Sequence, residues 1–206
     1  MRNKHTPIAT EGFPFIAGAA CVAIVSALLS WTPLAVIGCL VMAFIIFFFR
    51  NPARVVPAAE GSVISPADGV IIYLGDAHEE HLGEDMHKIS IFMSVFNVHV
   101  NRMPVTGRVL DTFYKKGKFL DVRDERATFE NEQKGLVIET DGGARLVVVQ
   151  VAGLIARRIV CYPGKGDSVV KGTRYGLIRF GSRLDVYLPK SATLRVALGE
   201  DRKSVV

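Results

Sequence analysis

Cysteine is scarce in this chain. Cys21, Cys39 and Cys161 are the only three in 206 residues, and they show no paired spacing and no Cys-x-x-Cys. A disulfide framework and a structural zinc site are thereby excluded as organising devices. Charge of one sign is also in short supply: the net charge is +5, of which residues 1–54 carry +3 (Arg2, Lys4, Arg50 and Arg54 against Glu11). So modest a surplus calls for no basic patch of the kind that grips nucleic acid. Beyond Arg54 the sequence lacks any sustained 3.6-residue periodicity and any repeated βαβ pattern. What remains is a mainly β fold, a compact barrel or sandwich with glycine-rich turns.

The most informative absence is of charge between Phe13 and Phe49, a run of 37 residues interrupted only at Trp31-Thr32-Pro33. A signal peptide would be shorter and would end at a small-residue cleavage site followed by polar sequence. Split at Pro33, the run gives segments of about 27 Å and about 24 Å at 1.5 Å per residue, against a hydrocarbon core of about 30 Å. A membrane helical hairpin fits better than one continuous helix, because proline removes a backbone donor at the middle and an interfacial tryptophan lies beside it. Lys or Arg flanks both ends, which places both on the cytoplasmic side of the cell membrane. Residues 1–54 are therefore expected to form an anchor, and residues 55–206 a soluble domain.

After a proline-containing linker the pattern changes. The segment Gly61–Gly75 carries apolar runs around a Pro-Ala-Asp-Gly turn, and the polar stretch Asp76–His87 reads as a loop. Residues 88–119 alternate β-branched and aromatic residues, so Val95–Val100 is expected to be strand. Residues 120–134 read as a loop or short helix, and residues 135–162 as a hairpin around Asp141-Gly142-Gly143. From Gly164 to Pro189 glycines punctuate short β-branched runs, the pattern of tight turns between short strands.

Within that last stretch Gly181-Ser182 lies between two apolar runs. A serine hydroxyl held against the carbonyl of a preceding glycine, which has no side chain to block approach, can attack it and convert the peptide to an ester. Elimination would then leave dehydroalanine and, after hydrolysis, a pyruvoyl cap. The dipeptide alone proves little, since Gly61-Ser62 is a second copy. His99 falls in an apolar stretch, where an imidazole must find partners. Asp68 in its Pro-Ala-Asp-Gly turn, Glu130-Asn131-Glu132, and Lys115, Lys116 and Lys118 each have an ordinary reading as turn or solvated face. His78, His81 and His87 stand among carboxylates, but in a stretch read as loop nothing fixes ligand geometry, and no metal is assigned.

The order of these elements is more specific than any one. SPADG, FMSVFNVHVNRMPVTG, ENE, and KG followed ten residues later by GS resemble the phosphatidylserine decarboxylase proenzyme family, in its short branch, over roughly residues 50–190. The resemblance implies a compact β-rich domain whose Gly181–Ser182 bond cleaves itself. Cleavage would leave fragments 1–181 and 182–206 associated as a heterodimer, the second headed by a pyruvoyl group derived from Ser182. It implies a Schiff base between that cofactor and the amine of phosphatidylserine, and phosphatidylethanolamine and CO2 as products. Asp68 matches the family's acidic residue for self-processing, and His99 its first motif histidine, here expected to supply the acid of decarboxylation. Where longer members have a second histidine this chain has Arg102. An Asp-His-Ser triad therefore cannot be carried over whole: His99 serves both steps, or Asp68 or a water activates Ser182. Arginine is no base at neutral pH, but it can bind a substrate phosphate.

The competing reading is a membrane-anchored lipoyl- or biotinyl-like barrel adaptor with no enzymatic role. It would need a modifiable lysine at a hairpin tip, Lys165 or Lys171.

Overall fold

A computed structural model gives the fold and describes residues 6–59, 61–124, 126–154, 158–179 and 181–204. The chain forms two compact units, Met1–Ala53 and Arg54–Val206.

In the first unit, a 3-10 turn (Thr10–Gly12) leads into α1 (Phe13–Leu28), and α2 (Thr32–Phe48) follows after a short turn. Each helix has proline in its first turn, where the missing N–H costs nothing. The open end is tied by main-chain bonds, Ala9 N–H to Phe49 O at 2.8 Å and Asn51 N–H to Pro7 O at 2.7 Å. Phe48 and Phe49 are buried, yet Leu28 is 79% and Leu40 66% exposed. So greasy an exterior is costly in water and is what a lipid-facing helix pair presents. The helical segment Thr10–Leu28 is long and apolar enough to cross a membrane, while α2 is shorter. Arg2 and Lys4, the basic flank expected before the hairpin, lie outside the described residues.

The second unit is mainly β. Its strands are β1 (Gly69–Glu79), β2 (Glu84–Met93), β3 (Val100–Arg102), β4 (Gly107–Lys115), β5 (Gln133–Thr140), β6 (Arg145–Ala152), β7 (Ile159–Cys161), β8 (Ser168–Val169), β9 (Arg174–Ile178), β10 (Ser182–Leu188) and β11 (Asp201–Arg202), with one helical turn, α3 (Ala127–Glu130), before β5. A curled eight-stranded sheet has the order β11-β1-β2-β10-β6-β5-β4-β8, and a three-stranded sheet has the order β3-β9-β7. Every pairing within them is antiparallel. The main core joins one face of the large sheet (Ile91, Met93, Leu136, Val148, Leu184, Val186) to Tyr175 and Ile178 of the small one. A second cluster, including Met86, Val147, Val149 and Tyr187, covers the opposite face.

Two expectations are corrected. The polar stretch 76–87 is not a loop but the outer half of the β1/β2 hairpin, in register from Asp76↔His87 to Glu79↔Glu84. Cross-strand pairs, His87 with Asp76 at 2.8 Å and His78 with Asp85 at 2.9 Å, replace the apolar alternation that usually signals a strand. Conversely, Val95–His99 is a turn rather than strand. Asn97 Oδ1 accepts from the N–H and Oγ of Ser94 at 2.9 and 2.8 Å, a side-chain mimic of a turn that outcompetes the β propensity of its neighbours.

Candidate active site

Ser182 is the first residue of β10, which lies in the middle of the large sheet. Its register partners are Met93 on β2 and Ala152 on β6. Side chains alternate along the strand, so Ser182, Leu184, Val186 and Leu188 face the main core while Arg183, Asp185 and Tyr187 face the other way. Ser182 is fully buried, and among the described residues its Oγ has no hydrogen-bond partner. An unsatisfied buried hydroxyl costs about 1–3 kcal/mol. Gly181, immediately before it, has φ +73°, the left-handed region in which only glycine rests without strain.

The turn before β3 brings His99 to this bond. His99 is buried, its Nδ1 lies 3.1 Å from Asn97 O, and its Nε2 accepts the Gly181 N–H at 3.2 Å. A carbonyl can only accept, so the proton belongs on Nδ1 and the lone pair on Nε2, facing the Gly181–Ser182 segment. The Asn97 turn therefore does two jobs: it ends the expected strand and fixes the tautomer of His99.

Asp68 is placed differently. Its carboxylate accepts from Arg54 Nη2 at 2.7 Å and from the Ser204 N–H at 2.6 Å, and its hydrogen-bond partners include neither Ser182 nor His99. Arg102 belongs to the same neighbourhood. It is a cross-strand partner of Arg174, its Nη1 donates to Gly172 O at 3.1 Å, and its main-chain N–H donates to Pro66 O. Burial lowers the pKa of its guanidinium, Arg54 and Arg174 push the same way, and Asp68 opposes them. Arg54, Arg102 and Arg174 thus gather around Asp68 in a part-buried cluster. Guanidinium groups suit an anionic oxygen ligand.

Asn131 is a site residue that its sequence context did not reveal. Within Glu130-Asn131-Glu132 it reads as a solvated face, yet it is fully buried. Its Nδ2 donates to Leu120 O and to Ala152 O, both at 2.8 Å, and its Oδ1 accepts the Leu120 N–H at 2.9 Å. It thus pins Ala152, the cross-strand partner of Ser182. A polar residue between two carboxylates carries no local signal of that burial.

On the opposite face of β10, Arg183 grips Asp185 with two bonds of 2.8 and 3.0 Å, and Lys88 Nζ lies 3.3 Å from the same carboxylate. Arg183 and Lys88 line a cavity of about 860 Å³, where the His81 ring stacks on Phe113 of β4. Burial lowers the pKa of Lys88, Asp185 opposes that shift and Arg183 adds to it. The loop lysines do not make a carrier tip: Lys171 Nζ is tied to Ala59 O and Ser62 Oγ, and Lys165 lies 3.4 Å from Asp111. His78, His81 and His87 each pair with a different carboxylate.

A sequence model of the family described as "Phosphatidylserine decarboxylase" matches residues 41–205. The chain is 68% identical over 200 residues to a "Phosphatidylserine decarboxylase proenzyme" of Geotalea uraniireducens, covering 97% of this chain and 94% of that protein. Proteins of the same description from Geobacter metallireducens and Geobacter sulfurreducens are 68% and 66% identical over 205 residues, with the same coverage. Nothing comparable supports the adaptor reading.

Proposed function

The chain belongs to the phosphatidylserine decarboxylase family, and on that footing we propose that it is a self-cleaving proenzyme that, once mature, converts phosphatidylserine to phosphatidylethanolamine and CO2. The observation that carries the reading is the buried Ser182 hydroxyl, unpartnered among the described residues, beside the Gly181 carbonyl, with His99 Nε2 at the Gly181 N–H.

Ser182 Oγ gives its proton to His99 and bonds to the Gly181 carbonyl carbon. The C–N bond then breaks, the Ser182 nitrogen takes the proton, and the peptide has become an ester. Loss of the Ser182 α-proton expels the Gly181 carboxylate from Cβ and leaves dehydroalanine. Hydrolysis releases ammonia and leaves a pyruvoyl group at the head of residues 182–206. That group supplies the electron sink for loss of CO2 from an amino-acid head group.

The residues around it have separate tasks. His99, already at the cleaved bond, takes the processing proton and later returns a proton to the substrate carbon. Arg102, with Arg54 and Arg174 beside it, holds the lipid phosphate. Asp68 acts through position: by accepting the Ser204 N–H it fastens the end of the C-terminal segment, where β11 pairs with β1. The two fragments stay together after cleavage because β10 remains hydrogen-bonded between β2 and β6. The apolar helix pair holds the enzyme at the membrane, and the β unit works on the cytoplasmic side.

Incubating the purified full chain with phosphatidylserine vesicles and borohydride tests the reading. The expected result is a 182–206 fragment that lacks its serine amine and gains the mass of reduced substrate. Turnover by a chain that stays whole, or a fragment headed by ordinary serine, contradicts it.

A further inference from the structure

When Ser182 attacks, negative charge develops on the Gly181 carbonyl oxygen, and no side chain assigned above serves that atom. Its neighbour is Gly153, the residue that follows β6. A Cβ at Gly153 would lie 2.4 Å from the Gly181 oxygen and 3.2 Å from its carbonyl carbon. No real Cβ approaches an oxygen so closely, so any other residue would have to push the carbonyl away.

The strand's own alternation says what faces that oxygen. Ala152 donates its N–H to Glu132 O at 3.0 Å, and its carbonyl accepts from Asn131. Both polar groups of Ala152 therefore point away from β10. Those of the next residue point toward it, because successive residues of an antiparallel strand direct N–H and C=O to opposite edges. The register Ser182↔Ala152 sets Gly181 beside Gly153 on that edge.

We infer that Gly153 is the oxyanion seat of the self-cleavage reaction, with its main-chain N–H as the donor and its missing side chain as the condition for close approach. The inference rests on the self-cleavage reading. As the Ser182 Oγ–H proton passes to His99 Nε2 and the Oγ–C bond forms, the C=O π pair moves onto the Gly181 oxygen, to which the Gly153 N–H donates a hydrogen bond. On collapse the pair returns, the C–N bond breaks, and the Ser182 nitrogen takes the proton back from His99. Asn131 is a positioning residue in this arrangement, since its bond to Ala152 O fixes the direction of the next peptide.

The test is a cleavage time course on the full chain made by cell-free synthesis in lipid nanodiscs, read on denaturing gels. Two variants are compared with the unaltered protein. Gly153→Ala adds the obstructing methyl. Glycolic acid at position 153 replaces the N–H by an ester oxygen and adds no atom, so the fold is spared even if the alanine variant fails to fold. Loss of one oxyanion donor typically slows a reaction by about a hundredfold or more, and both variants are expected to slow to that extent while keeping the circular dichroism of the unaltered chain. Cleavage of the ester variant at the unaltered rate would overturn the role of Gly153 and leave the self-cleavage reading standing. An unaltered chain that never cleaves would overturn both.

Discussion

The two faces of β10 are buried alike and furnished oppositely. Toward the cavity, Arg183 and Asp185 are 3% and 2% exposed, and every charge has a partner: Arg183 holds Asp185, Val122 O and Thr128 Oγ1, and Lys88 completes the group. Toward the main core the strand carries Leu184, Val186 and Leu188, with one polar group, the Ser182 hydroxyl, that has no partner among the described residues. A buried polar group that serves structure is satisfied, because leaving it otherwise is expensive. The proposed self-cleavage accounts for the orphan on the other face. On that reading adjacent residues of a single strand divide stability from chemistry.

Breaking each side should give different symptoms. His99→Gln keeps a polar side chain at Gly181 but removes the base, and general-base catalysis contributes about 10²–10⁴-fold. Cleavage should slow by about a thousandfold with little change in unfolding midpoint. Asp185→Ala, made in the uncleaved Ser182→Ala chain, leaves Arg183 and Lys88 buried without their carboxylate. It should destabilise the fold by about 3 kcal/mol or more in chemical denaturation. A Ser182→Ala, Asp185→Ala double variant as stable as its parent would erase the contrast between the faces.

Asp68→Asn sharpens the comparison at the far end of the same segment. An amide accepts the Ser204 N–H less well and no longer neutralises Arg54, so cleavage should slow by about tenfold, roughly 1.4 kcal/mol. Full arrest would make Asp68 part of the proton path instead. The smallest effect is expected from removing residues 1–53: cleavage should continue within about twofold, since the folded unit Arg54–Val206 contains Ser182, Gly181 and His99. Co-sedimentation with vesicles should fall sharply, and undiminished sedimentation would contradict the anchor.

Much of this architecture was legible because it is local. The uncharged run from Phe13 to Phe49, the Asp141-Gly142-Gly143 turn and the glycine before Ser182 each carry their signal within a few residues. What escaped reading depends on distant contacts. Asp68 meets Ser204 across 136 residues of chain, a pairing no local pattern encodes. Asn131 is buried because Leu120 and Ala152 converge on it, while its neighbours Glu130 and Glu132 suggest solvent. Gly153 closes a valine-rich strand, and only the register of β6 against β10 reveals that it faces the Gly181 carbonyl. The β1/β2 hairpin was missed for another reason: its outer half is held by histidine–carboxylate pairs, and periodicity in hydrophobicity is blind to those.

The most direct measurement is the intact mass of the full chain and of Ser182→Ala, each purified under identical conditions and denatured. The account predicts two polypeptides for the unaltered protein, residues 1–181 and a 25-residue partner headed by a pyruvoyl group, and one unbroken chain of 206 residues for Ser182→Ala. An unaltered protein that stays whole, or a Ser182→Ala chain cut at the same bond, would contradict it.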